Sequence, residues 1–112
     1  MVVKSKRVVA RRYKANQDEQ DREALILDNM QFAQKIVSSM IPHLPAGVDK
    51  DDLYSASLLG LTEAAHKFVA TRGVSFRTFA YPRIRGAVVD QLRKNSQLLQ
   101  KVLKNIRIIF SF

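Results

Sequence analysis

Apolar positions recur at helical spacing along almost the whole chain. Ile26, Met30, Ala33, Val37 and Met40 follow one another at alternating steps of four and three, the signature of one amphipathic face over 17–41. Asn16 or Asp18 is placed to cap its start, and Asp18, Glu19, Asp21 and Glu23 suit the positive end of a helix dipole. The pattern stops at Ile41, because Pro42 and Pro45 in IPHLPAG cannot continue a helix.

Asp49 opens a second periodic stretch, DKDDLYSASLLGLTEAAHKF. Asp49 can cap it, Asp51 and Asp52 fall in its first turn, and Leu53, Leu61, Ala64 and Phe68 mark its buried side. Gly60 inside this stretch costs about 1 kcal/mol of helix propensity relative to alanine, so its expected role is to let another helix come close. After a short turn around Gly73, Ser75 is the expected cap of a third helix, FRTFAYPRIRGAVVDQLRK, with Phe76, Ala80, Ile84, Ala87 and Val88 as its core stripe. Pro82 removes one hydrogen bond from that helix and is expected to kink it. A further helix is expected in QLLQKVLKNIRIIF, which gathers Leu98, Leu99, Val102, Leu103, Ile106 and Ile109 on one broad face. No segment alternates at period two. The expected class is all-α, a compact bundle of three to four helices with short connections.

Composition narrows the chemistry. Among 112 residues there is no cysteine and there are only two histidines, His43 and His66. Disulfides, iron–sulfur clusters, zinc fingers and thiol nucleophiles are thereby excluded. His43 has no Asp, Glu or second His at ligand spacing and reads as a solvated turn residue, so neither a metal nor a cofactor is expected. Adjacent acids such as Asp51 with Asp52, or Asp18 with Glu19, project in different directions and read as caps and solvated surface. An enzyme is not expected. No apolar run reaches the roughly 18 residues a membrane span needs. The basic start lacks the apolar core of a secretory signal, so a cytoplasmic protein without a membrane partner is expected.

The net charge of +9 is distributed in three blocks. Residues 1–14 carry six Lys/Arg and no acid, residues 15–70 are net −5, and residues 71–112 are net +8 with Asp90 as their single acid. An acidic middle beside a basic C-terminal half suits two partners of different character, with nucleic acid at the basic half. Arg77, Arg83, Arg85, Arg93 and Lys94 are the candidate phosphate contacts. Phe79 lies roughly 110° from the centre of the third helix's core stripe, on a face with Pro82, Gly86 and Arg93. An aromatic amid arginines suits base stacking; packing under a neighbouring segment is the alternative that geometry leaves open.

The stretch from Asp49 to Lys94 strongly resembles region 2 of the bacterial RNA polymerase sigma factors of the sigma-70 family, nearest its flagellar and sporulation-type alternative branch. The resemblance rests on Asp52-Leu53 with Gly60-Leu61, then Phe76-Arg77-Thr78-Phe79-Ala80, Arg83-Ile84-Arg85-Gly86-Ala87, Asp90 and Leu92-Arg93. It extends more weakly back to about Leu25, while the basic N-terminus matches nothing in that family. The expected organisation is a helical domain over 16–94, preceded by a flexible basic arm over 1–15 and followed by a further helix over 95–112. The resemblance implies that Asp52, Leu53, Ser55, Ala56, Leu58 and Thr62 dock on a coiled coil of the β′ subunit of the polymerase core. The matching −10 promoter contacts are Arg72, Val74, Phe79, Tyr81, Pro82, Arg83 and Arg85, with Phe79 on the base-stacking aromatic. An anti-sigma factor is a third class of partner.

Three departures qualify that reading. Pro82-Arg83 stands where primary sigma factors carry two tryptophans, so a wedge at the duplex edge is missing. Ala56 replaces an acid of the docking helix. The abrupt, apolar IRIIFSF is expected to be the end of an interrupted, truncated or excised product, without the helices of regions 3 and 4. The expected function is a sigma-type initiation module that binds core polymerase and recognises and helps open the −10 element. A freestanding helical DNA-binding module, or an inactive sigma remnant, is the alternative.

Overall fold

The computed structural model describes residues 2–94 and is helical in its regular parts. Four α-helices follow in order: α1 Val2–Asp28, α2 Met30–Met40, α3 Lys50–Lys67 and α4 Phe76–Arg93. Single 3₁₀ turns, Ile41–His43 and Ala70–Arg72, join α2 to α3 and α3 to α4. The expected last helix, in 95–112, lies outside the described residues.

The helix expected over 17–41 is two helices, and the first begins far earlier. Residues 2–15, expected as an arm ahead of the domain, belong to α1. Asn16 and Asp18 therefore cap nothing, and the acids that follow them sit in mid-helix. Asn29 makes the break between α1 and α2. Its side-chain Nδ2 donates to the Leu25 carbonyl at 2.8 Å, the acceptor its own backbone N–H would use in an unbroken helix. That N–H turns instead to the Ile26 carbonyl at 3.2 Å, a tighter 3₁₀-type bond. Asn29 Oδ1 then accepts from Arg77 Nε at 3.1 Å, which ties the break to the first turn of α4.

The other helix starts follow the sequence. Asp49 accepts from the backbone N–H groups of Asp51 and Asp52, and Ser75 accepts from Thr78 N. Gly73 takes φ 75° after the Ala70–Arg72 turn, a conformation glycine adopts without steric cost. Pro82 sits on the exposed side within α4, which continues through it from Phe76 to Arg93.

The core lies where α2, α3 and α4 meet. Ala33, Val37 and Met40 of α2, Leu53 and Leu61 of α3, and Ala80, Ile84 and Val88 of α4 are all buried there. Phe76 and Ala87 of the expected α4 stripe are half-buried, and Val89 and Leu92 complete it. The α3–α4 crossing is fixed at Gly60. A Cβ on that residue would stand 2.9 Å from Ile84 Cα and 3.0 Å from both the Arg83 carbonyl oxygen and Ala87 Cβ.

The Asn29 junction gives a first expected outcome. Asn29→Ala removes the side-chain competitor, restores an ordinary helical bond to Leu25 and leaves Arg77 without its acceptor. Alanine is the better helix former, yet the lost buried hydrogen bonds should lower unfolding free energy by about 1–2 kcal/mol. Denaturant titration reads the change; an Asn29→Ala protein as stable as the parent would show that the junction is incidental.

Candidate nucleic-acid and protein interfaces

The residues singled out on α4 fall on two rows. Arg77, Tyr81 and Arg85, at steps of four, face the α2 side. Arg77 bonds to Asn29 and lies 5.0 Å from the Phe32 ring centroid, and Tyr81 packs on Phe32 at 6.4 Å between centroids. Arg85 donates to the Tyr81 hydroxyl at 3.3 Å and stacks over that ring. Arg77 and Tyr81 are thus partly spent on holding α4 to α2, and Arg85 is engaged by Tyr81 within α4.

Phe79, Pro82, Arg83, Gly86 and Arg93 form the other row. Phe79 is half-buried, so it is neither a fully exposed platform nor a core residue. Its ring packs on Phe68 at 5.6 Å, and Phe68 in turn meets Phe76 edge-on at 5.2 Å. The Arg83 guanidinium lies over the Phe79 ring at 3.8 Å while donating to the Phe79 carbonyl at 3.2 Å. The result is an aromatic backed by a second ring and covered by a cation. An unpaired nucleotide reaches the face of this ring by displacing the guanidinium, which then stands beside it as a phosphate partner. Arg72 and Val74 are exposed in the turn preceding α4, and Lys94 is exposed at its end. Arg93 leans on Asp90 at 3.8 Å in an exposed pair, an interaction contributing about 0–1 kcal/mol.

On α3 the expected docking residues also divide. Leu53 is 1 % exposed and can touch no partner; its part is to seat α3 in the core. Leu58 and Thr62 are half-buried, with Leu58 packed against the core and Thr62 Oγ1 donating to the Leu58 carbonyl at 2.8 Å. Asp52 and Ser55 are exposed and line an open groove of about 590 Å³ between α3 and α4, with Ala56 buried at its foot. Leu59, which the sequence reading passed over, stands in the same groove and is 60 % exposed. A signal for it existed: Asp52, Ser55, Leu59 and Glu63 share one register at steps of three and four, away from the Leu53–Leu61–Ala64 side. A single exposed leucine is ordinary on a protein surface; its place in a groove beside Asp52 and Glu63 is what makes it a candidate contact.

Among the described residues no group of three or more His, Asp or Glu could hold a metal ion, and no helix is long and apolar enough to cross a membrane.

Comparison with known proteins agrees with this geometry. The sigma-70 region 2 family matches over residues 25–97. The chain is similar to the RNA polymerase sigma factor FliA of Pseudomonas aeruginosa, 37% identical over 99 residues, which cover 88% of this chain and 40% of that protein. It is similar to the FliA sigma factor of Escherichia coli K12, 42% identical over 64 residues, 57% of this chain and 27% of that one. With the RNA polymerase sigma-D factor of Bacillus subtilis it shares 51% identity over 55 residues, 49% of this chain and 22% of that one. The chain thus spans less than half the length of these relatives. Because the family match takes in α2, α3 and α4 whole together with the end of α1, the chain belongs to the sigma-70 region 2 family.

Proposed function

We propose that this chain is the region 2 module of a transcription initiation factor, which docks on RNA polymerase core through α3 and contacts the −10 promoter element through α4. The observation that carries the reading is the half-buried Phe79 ring at the edge of the core, backed by Phe68 and covered by Arg83. It falls where the family resemblance requires a base-stacking aromatic. The docking role of α3 is supported by its exposed row, acidic at Asp52 and Glu63 and apolar at Leu59, on the far side from the core. The relatives carry the name RNA polymerase sigma factor, which fits a binding role and not a catalytic one. Core polymerase and promoter DNA are the partners this reading assigns, with residues 16–94 as the folded unit that meets them.

The test is association with purified core polymerase at micromolar concentration. Asp52→Arg combined with Leu59→Glu should weaken that association at least tenfold while leaving helical content unchanged, because both side chains are exposed. Leu58→Glu is the poorer probe, since Leu58 also packs on the core. If the unaltered chain shows no association, or the double variant associates equally well, the docking assignment fails.

A further inference from the structure

The N-terminal half of α1 is left unused by that reading, and it carries a dense group of cations. The family match begins at residue 25, and every residue from Arg7 to Asp21 is exposed. Residues 1–14 carry six Lys/Arg, at the end of α1 where the helix dipole is positive. The acids Asp18, Glu19, Asp21, Glu23 and Asp28 lie in its C-terminal half, where the dipole is negative. The dipole acts mainly on the terminal turns, where Lys4 and Asp28 stand unfavourably, so it gives no support to this distribution of charge. Among the described residues, no ion pair joins Arg7, Arg11, Arg12 or Lys14 to a carboxylate.

Arg7, Arg11 and Lys14 stand at steps of four and three and therefore form one stripe, while Arg12 projects from another side of the helix. At 1.5 Å rise per residue the stripe spans about 10 Å, comparable with the major-groove width of about 12 Å between flanking phosphates. Away from that stripe these turns expose Val8, Val9 and Tyr13, the last 70 % exposed. Three such side chains, none of them Leu, Phe or Trp, are far less than the broad apolar face by which an amphipathic helix enters a lipid surface. An acidic protein partner would meet the carboxylates further along the same helix. A duplex lying across the first turns meets cations only.

We propose that this half of α1 is a second DNA-binding element, which grips the phosphate backbone of double-stranded DNA irrespective of its sequence. It goes beyond the −10 contacts of α4 and needs no base recognition. A bound duplex would supply the negative charge that the N-terminal half of α1 lacks, and so would favour the helix it binds.

The experiment uses the whole chain and a blunt, random-sequence duplex of about 20 base pairs without a −10 element, so the reading of Phe79 is not at stake. Replacing Arg7, Arg11, Arg12 and Lys14 together by glutamine should weaken binding at least tenfold at low salt. The slope of log affinity against log salt should fall by about three units for the lost phosphate contacts. Substituting Arg7→Lys, Arg11→Lys and Arg12→Lys should keep most of that slope, since the charge is retained. Circular dichroism confirms that both variants fold. Failure of the parent chain to bind the duplex, an unchanged slope in the glutamine variant, or a loss seen only on anionic phospholipid vesicles would each overturn the proposal.

Discussion

Gly60→Ala and Gly86→Ala are expected to change stability in opposite directions, although both glycines lie inside helices of the same bundle. At Gly60 the added methyl would meet Ile84 Cα at 2.9 Å and the Arg83 carbonyl oxygen at 3.0 Å, both backbone atoms of α4. They can yield only if α4 moves away from α3, which loosens Leu53, Leu61, Ile84 and Val88 together. Overpacking of this kind costs about 1–3 kcal/mol, more than the roughly 1 kcal/mol of helix propensity that alanine restores. Gly60→Val adds two further methyls with a smaller propensity gain, and is expected to unfold a domain of this size outright. At Gly86 nothing lies within 4 Å of an added Cβ, so only the backbone entropy counts and alanine should stabilise by about 0.5–1 kcal/mol. For a domain this small each 1 kcal/mol moves Tm by roughly 4–8 °C, so thermal unfolding resolves the two signs. A Gly60→Ala protein more stable than its parent would mean that α3 and α4 do not cross at this residue.

That contrast also shows what could be read along the chain and what could not. Asp49 and Ser75 announce α3 and α4 because a capping oxygen needs only the two or three residues after it, which is local information. The core stripe of α4 and the close approach at Gly60 follow from the 3.6-residue period together with the cost of a glycine in a helix. The Asn29 break was not visible, because the apolar stripe runs through it in register. What ends α1 is a side chain taking its own backbone's acceptor, fastened by an arginine forty-eight residues later. The same long-range pairing explains why Arg77 and Tyr81 could not be told from free surface: their partners, Asn29 and Phe32, come from elsewhere in the chain. Leu53 and Leu59 illustrate the remaining gap. The matched motif put Leu53 among the docking residues although its own periodicity put it inside, and it left out Leu59, whose register with Asp52, Ser55 and Glu63 points outward.

Phe79→Ala is expected to cut binding of single-stranded −10 DNA by about 5- to 150-fold, the equivalent of the ~1–3 kcal/mol that one base gains by stacking on an aromatic. The ring is half-buried against Phe68, so truncation should also cost some stability, but less than the ~3–5 kcal/mol of a fully buried phenylalanine. Ile84→Ala, a truncation within the fully buried core beside it, supplies the comparison: it should lower Tm sharply while the molecules that remain folded bind normally. Phe79→Tyr keeps a stacking face and should restore most of the affinity that alanine loses, which a purely structural loss of packing would not distinguish from any other large side chain such as leucine. Arg83 sharpens the test, because its guanidinium covers the ring that the base must reach. A base can displace it toward a phosphate or slide beside it, and in either case Arg83→Gln should lower the salt slope of binding by about one unit. Single-strand affinity within twofold of the parent for Phe79→Ala, or equal rescue by leucine and tyrosine, would remove the stacking role and leave Phe79 as packing under the α3–α4 turn.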